Sequence, residues 1–324
     1  IPMEIEGSLS VAGKGISERA AQVSAMMEFI ERKSVYVGTE GWPNRYKNRV
    51  NVVKGKRSQL LEDGLNVFDP NDLNLACIYR DQESYWVNGT TASGKEVYLP
   101  AESVFMQLYL DAPSLVQGDS TGFASGNTLE EAKLHALFEI LERDSRKSNV
   151  SFTTRRLIGG DNPRVIDECL TCYGESGTQL VLQENTSEFG IPSFLAVSDY
   201  TVPYYGAGCH LNAQLAAIRA IAELNMNLKH VSVWTGRHEF FGLLDCDLSQ
   251  FPNLSTGNVV GDLRLVEGTL IGNGFEPIYF DLTHEEYDVP VVKAIVPGLG
   301  CWGPDAKYPR NFRHFFEQAV EHFR

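Results

Sequence analysis

One ten-residue phrase is written twice in this chain. Residues 25–34 read A-M-M-E-F-I-E-R-K-S, and residues 136–145 read A-L-F-E-I-L-E-R-D-S. The alanine, both glutamates, the arginine and the serine coincide, and every remaining position but one pairs two apolar residues. On an α-helix, i, i+3 spacing puts Glu28 beside Glu31 and Glu139 beside Glu142. These acids stand among Met27, Phe29 and Ile30 in one copy, and Phe138, Ile140 and Leu141 in the other. Carboxylates in such apolar company are costly unless something cationic meets them. Two facing helices of this kind would gather a four-carboxylate, hard-oxygen site suited to Mg2+, which usually arrives with a nucleotide. The phrase therefore points to a nucleotide-using enzyme. The plainer reading is a set of amphipathic helices with their acids in water.

A third, weaker copy follows. Ala220-Ile221-Ala222-Glu223-Leu224-Asn225-Met226 keeps the alanine and the first glutamate and loses the second. The upstream flanks align as well: Gly15-Ile16-Ser17, Gly126-Asn127-Thr128 and His210-Leu211-Asn212. Each supplies Ser, Thr or Asn where a helix prefers its N-cap.

Composition excludes some partners. With 43% hydrophobic residues in 324, the chain can bury a sizeable core. A formal net charge of −14, with no basic run, argues against nucleic acid, whose phosphates need clustered Lys and Arg. An acidic chain can still bind ATP, because a metal and a few local cations suffice. No signal peptide or bilayer-spanning run is visible, so the expectation is a cytoplasmic protein without membrane contact. Six cysteines are scattered. Cys169 and Cys172 form a C-x-x-C with no second pair to complete a zinc set, and Cys209-His210 are neighbours that rarely aim at each other. Both are read as structural. Gly298-Leu299-Gly300-Cys301-Trp302-Gly303 imitates a dinucleotide fingerprint, but prolines flank it and no helix pattern follows.

Alternating patterns predict an α/β (α+β) fold. A strand is expected over 4–12, entering the turn Gly13-Lys14-Gly15, then a helix over 17–34. Residues 40–69 are polar and turn-rich and receive no element. A hairpin is expected from 85–89 and 96–100, and a helix over 128–147 with Thr128 and Glu131 as a capping box. Further expectations are a helix over 165–173, strands over 179–183 and 193–198, a helix over 213–229, a buried strand over 289–296 and a terminal helix over 312–323. With no low-complexity linker, one domain over 1–324 is expected, an internal pseudo-threefold repeat of helices packed on mixed sheets.

The run Gly126-Asn127-Thr128-Leu129-Glu130-Glu131-Ala132, continuing to Glu139-Ile140-Leu141-Glu142-Arg143-Asp144, closely resembles the YcaO family. So do Gly13-Lys14-Gly15 with Ser24-x-x-x-Glu28-x-x-Glu31-Arg32, the segment from Gly208-Cys209-His210 to Glu223, and Val296-Pro297-Gly298-Leu299. The resemblance implies ATP- and Mg2+-dependent activation of a peptide backbone amide, whose oxygen attacks ATP to give an O-phosphorylated intermediate that later expels phosphate. It implies Glu28, Glu31, Glu139 and Glu142 as holders of magnesium. Ser24, Asn127, Glu131 and Arg143 would contact nucleotide, Glu223 would serve the third motif near the phosphates or metal, and Lys14 is a weaker phosphate ligand. For several of these a structural role competes: a capping acid for Glu131, a packed small residue for Ser24, a surface ion pair for Arg143.

Two departures from the family pattern stand out. Met226 occupies a position where many relatives carry Gln, so Asn225 or Asn227 would have to supply what that glutamine contacts. The Pro-x-Pro-x-Pro tail of azoline-forming relatives is absent from His322-Phe323-Arg324, which, read as the true end, favours another chemistry. The leading expectation is thioamidation, in which an external sulfide attacks the activated amide. Cyclodehydration of Cys, Ser or Thr to azolines, in ribosomal peptide natural product biosynthesis, is the alternative. A catalytically decayed nucleotide-binding accessory protein is the reading from another class. Expected partners are a peptide or protein substrate, a sulfur-donor or leader-binding protein, and a second copy of the chain in a homodimer.

Overall fold

The computed structural model describes residues 2–5, 9–35, 49–73, 79–106, 120–148, 154–157, 162–199, 205–228 and 244–300. In chain order the elements are β1 (Pro2–Ile5), β2 (Leu9–Ala12), α1 (Glu18–Val35), β3 (Val52–Gly55), α2 (Arg57–Glu62), β4 (Ser84–Thr91), β5 (Glu96–Pro100) and α3 (Ala101–Val104). There follow β6 (Phe123–Ser125), α4 (Leu129–Ser148), β7 (Thr154–Leu157), α5 (Arg164–Glu175), β8 (Leu180–Glu184), β9 (Ser193–Ser198) and β10 (Tyr205–Cys209). The last are α6 (Ala213–Leu228), β11 (Leu244–Cys246), α7 (Val259–Gly272), β12 (Ile278–Asp281) and β13 (Val291–Ile295). The chain divides into two compact units, Ile1–Met26 with Leu141–Gly257, and Met27–Ile140 with Asn258–Arg324.

The first unit carries a five-stranded sheet in the order β10-β9-β8-β7-β11 and the separate hairpin β1-β2. Its strands pair antiparallel except for β11 on β7, which is parallel. Helix α6 buries Ala213, Ala216, Ala217, Ala220, Ile221 and Leu224 with Leu182, Phe194 and Ala196. These helix positions recur at three- and four-residue steps, the signature of one buried helical face. Small residues bring helix and strand into contact: a Cβ at Gly208 would stand 2.2 Å from the Ala216 carbonyl oxygen. The same device serves α1, where a Cβ at Gly13 would collide with the Ala21 carbonyl and the Ala25 nitrogen.

The second unit is built on a six-stranded antiparallel sheet, β3-β4-β12-β13-β6, with β5 paired to β4. Its core gathers Val87, Val97, Leu99, Val104, Phe105, Phe280, Leu282 and Val291. A smaller cluster surrounds Trp86, which is fully buried and donates its indole N–H to the Gly55 carbonyl at 2.9 Å. Each such aliphatic side chain contributes roughly 1.5–3 kcal/mol through loss of apolar surface to water.

The three phrase-bearing helices begin alike. The Ser17 hydroxyl accepts from the Ala20 N–H, that of Thr128 from Glu131 N–H, and the Asn212 carboxamide from Gln214 and Leu215 N–H. Each cap stands eight residues before the aligned alanine, Ala25, Ala136 or Ala220. The N-cap expectations hold. The capping box does not close as expected, because the Glu131 carboxylate accepts from the Asn127 N–H, one residue ahead of the cap.

Other expectations need correction. The run over 4–12 is a hairpin, β1 and β2, rather than one strand. The polar stretch given no element contains β3 and α2, because Val52, Val53 and Leu60 pack on Trp86 and Val87 despite polar neighbours. Helix α7 went unrecognised, its three glycines, Gly261, Gly268 and Gly272, masking a periodic pattern. The expected terminal helix lies outside the described residues.

Candidate functional site

Helices α1, α4 and α6 deliver the candidate residues, and the turns before them deliver the rest. In the first unit, Lys14 Nζ meets Glu223 Oε2 at 2.7 Å, and the Lys14 N–H donates to the Ser24 hydroxyl at 3.3 Å. Three sequence-derived candidates, from the first turn, α1 and α6, thus sit together. Ser24 is a ligand of the Lys14 main chain, a positioning duty that its packed, one-turn-upstream setting only partly foretold. Glu142 and Arg143 are half-buried on α4. The Glu142 carboxylate lies near enough to Cys209 to add to the burial that pushes that thiol far up, while Arg219 opposes it. Such a thiol is an inert core group, as expected.

In the second unit, Glu31 is the electrostatic centre. Desolvation raises its carboxyl well above the ordinary carboxylate range. The Glu139 and Glu28 carboxylates push it further, whereas Arg32 and the Ser125 N–H favour its charged form. Arg32 reaches Glu28 at 3.2 Å one helical turn away. Glu139 Oε2 accepts the Gly122 N–H at 2.9 Å. Asn127 and Glu131 form a pair at the start of α4, with amide-to-carboxylate distances of 2.9 and 3.2 Å.

A cyclic relation links the three copies. Lys14, Ser125 and Cys209 each stand eleven residues before the aligned alanine. Lys14 meets Glu223 of the third copy, Ser125 meets Glu31 of the first, and Cys209 lies near Glu142 of the second. Each of these positions therefore reaches an acid carried by the helix of the preceding copy. In the third copy the second acid is missing, and the first, Glu223, takes the contact.

The donors are all carboxylate oxygens, and the mutual repulsion of Glu31, Glu139 and Glu28 is what a divalent cation would relieve. Among the described residues no group of three or more His, Cys, Asp or Glu comes together as a ready metal cage.

Neither asparagine beside Met226 is poised to replace a glutamine. Asn225 accepts from the Tyr173 hydroxyl at 2.6 Å, and Asn227 donates to the Tyr205 carbonyl at 2.9 Å. Both tie α6 to its own unit. Cys169 and Cys172 are free thiols on α5, the first half-buried and the second exposed. His210 Nδ1 accepts from the Asn212 N–H at 2.9 Å and so shapes the turn into α6.

Sequence reasoning missed the backbone donors Gly122 and Ser125, since a main-chain N–H leaves no mark on composition. It also passed over Lys293, although a lysine inside the apolar run Val291–Val296 is visible as an anomaly.

Comparison with known proteins places the fold. A family model described as YcaO cyclodehydratase, ATP- and Mg2+-binding, matches residues 12–300. An uncharacterized protein of Methanothermobacter thermautotrophicus is 30% identical over 347 residues, covering 94% of this chain and 85% of its own. An uncharacterized protein encoded in the tfuA 3′ region of Rhizobium leguminosarum bv. trifolii is 27% identical over 328 residues, covering 89% and 76%. A heterocyclase solved with substrate and cofactor superposes with a TM-score of 0.76 at 21% identity, over 90% of this chain and 45% of that one. This chain thus spans less than half the length of that heterocyclase. The YcaO of Methanopyrus kandleri bound with AMPPCP and Mg2+ superposes with a TM-score of 0.66 at 23% identity, over 90% and 78%. No helix of the described residues is long and apolar enough to cross a membrane. On the family match and the similarity of its relatives, this chain belongs to the YcaO family, whose members are described as ATP- and Mg2+-binding cyclodehydratases.

Proposed function

We propose that this chain uses ATP and Mg2+ to activate a backbone amide of a peptide or protein substrate. The observation that carries the reading is the crowding of Glu31 by Glu139 and Glu28, an anionic cluster that a divalent cation would relieve. In this reading Glu28, Glu31, Glu139 and Glu142 supply carboxylates to magnesium. Ser24, Asn127, Glu131 and Arg143 line the nucleotide, and Lys14 and Glu223 stand at its phosphates, where a displaced lysine neutralises phosphate charge. ATP supplies a phosphoryl group to the amide oxygen and turns that oxygen into a leaving group.

The product we propose is a thioamide. Hydrosulfide adds to the amide carbon, the C–O bond breaks with its electron pair going to the phosphate oxygen, and loss of a proton leaves C=S and inorganic phosphate. Hydrosulfide is already an anion near neutral pH and asks no base of the protein. The second reading is azoline formation, in which a substrate Cys, Ser or Thr side chain attacks instead; likeness to a heterocyclase fold favours it. A partner that delivers sulfur belongs to the thioamide reading, one that grips a leader peptide to either, as does a homodimer, and one domain over the full chain is the organisation we propose. The Escherichia coli microcin synthetase complex, a distant likeness at 13% identity, is a complex of several proteins with its pro-peptide.

Calorimetric titration of ATP with and without Mg2+, on wild type and Glu28→Gln, tests the shared step. Mg2+-dependent binding lost in the variant is the expected result; wild type that binds no nucleotide points instead to a degenerate or partner-dependent member of the family. Mass spectrometry of treated peptides then separates the products. Exchange of one oxygen for one sulfur marks the thioamide, and loss of one water marks the azoline.

A further inference from the structure

Lys293 lies on β13, opposite Phe123 of β6, and is 4% exposed. Its ammonium donates to the Thr121 carbonyl oxygen at 2.8 Å and sits 4.1 Å from the centre of the Phe123 ring. The next atoms along that peptide belong to Gly122, whose N–H donates to Glu139 Oε2 at 2.9 Å. One peptide group therefore joins the two charges: ammonium on its oxygen, carboxylate on its hydrogen. A cation at the oxygen draws electron density along the amide and makes the N–H a stronger donor, so the two bonds reinforce each other.

The neighbouring strand holds this peptide rigidly. The Ala294 N–H donates to the Gly122 carbonyl at 2.7 Å, so Lys293 and Ala294 grip consecutive carbonyls. Gly122 has φ +80°, and a Cβ there would stand 2.3 Å from the Ala294 oxygen. Only glycine fits this conformation and this approach. An apolar side chain at 293 would continue the run Val291–Val296 without the cost of burying a charge, so packing alone does not explain a lysine.

We propose that Lys293 is a positioning residue for Glu139, acting through the Thr121–Gly122 peptide to keep that carboxylate oriented for Mg2+ and nucleotide. This inference rests on the proposed role of Glu139 in holding magnesium. Partners in the shell behind a metal ligand are worth about 10–100-fold in metal affinity, which sets the expected effect.

The test uses the full chain with Lys293→Met, which matches the lysine stem, and Lys293→Arg, which restores charge. The readouts are the thermal midpoint without ligand, the Gly122 amide-proton resonance of glycine-labelled protein, and the Mg2+ concentration for half-maximal ATP binding. Lys293→Met is expected to stay folded, move the Gly122 resonance upfield and raise the Mg2+ requirement about tenfold or more. Lys293→Arg is expected to recover most of both changes. An unchanged Mg2+ requirement in folded Lys293→Met overturns the proposal, because a packing role would move the midpoint alone. If Lys293→Met does not fold, wild type decides: a Gly122 resonance that ignores Mg2+ and ATP overturns the proposal, and one that shifts supports it. Wild type that binds no Mg2+ and ATP at all would sink the proposed function. The ligand-free Gly122 resonance of the two variants would then still report whether the lysine acts on this peptide.

Discussion

Lys14 and Glu223 are 209 residues apart in sequence and meet at 2.7 Å, with side chains 32% and 21% exposed. The pair joins the glycine turn before α1 to the glutamate of α6. At this exposure the ion pair contributes little to stability, about 1 kcal/mol or less. Under the proposed function it keeps an ammonium beside a carboxylate where phosphate would arrive.

Lys14→Met is therefore expected to change stability by no more than about 1 kcal/mol. ATP affinity in Mg2+ should fall about tenfold, the worth of one charge-assisted hydrogen bond. Chemical denaturation and calorimetry on one preparation check both numbers. A large stability loss with unchanged ATP affinity would make the pair structural.

Glu31 gives a prediction of opposite sign in the two states. Its carboxyl is raised, so its favourable contribution is complete below the ordinary carboxyl range and is lost as pH climbs through the raised value. At neutral pH the ligand-free protein carries that cost. Glu31→Gln should stabilise it and raise its Tm. The same change should abolish Mg2+-dependent ATP binding. Thermal melts at pH 5 and pH 8 check the sign, since the gain should shrink at the lower pH.

Two glycines separate close approach from helix propensity. Gly208→Ala places a Cβ against the Ala216 carbonyl and the Ala220 nitrogen, and should cost roughly 2–3 kcal/mol as α6 is pushed off β10. Gly268, inside α7, has nothing within 4 Å of its Cβ position. Gly268→Ala should stabilise by roughly 0.5–1 kcal/mol. Urea midpoints moving in opposite directions would bear this out.

At high pH, Tyr173 becomes informative. Burial, with a smaller push from Cys169, raises its phenol from the ordinary 10 to about 12. Below pH 10 the phenol is protonated in both folded and unfolded chains, and its contribution is intact. Between pH 10 and 12 the unfolded chain ionises first, and roughly 2 kcal/mol of stability is lost across that window. Tyr173→Phe should lower stability by about 1 kcal/mol near neutrality, through loss of its bond to Asn225, and flatten the alkaline decline. Identical alkaline slopes in the two proteins would refute the assignment.

Much of the framework was legible because it is local. The periodic apolar positions of α1, α4 and α6, with Ser17, Thr128 and Asn212 as caps, lie within single helices. The alternation of β4 and β5 around Gly94 is equally short-ranged. What escaped was decided by distant neighbours. The strand β3 is only four residues long, ends in Lys54 and Gly55, and exists because Val52 and Val53 pair with Val87 and Trp86. Residues 4–12 form two strands because each finds its partner in the other.

The sequence by itself determined which acids repeat and how they are spaced. Repetition of E-x-x-E at helical spacing in two copies puts Glu28, Glu31, Glu139 and Glu142 on helix faces, whatever the helices pack against. Tertiary structure alone decided what each acid meets: Lys14 for Glu223, the Ser125 N–H and the Glu139 charge for Glu31, and the Gly122 N–H, polarised by Lys293, for Glu139. The physical reason is that helix spacing is fixed by backbone geometry within a few residues. The charge state and orientation of a carboxylate are fixed by burial and by donors that the fold brings from as far as 209 positions away.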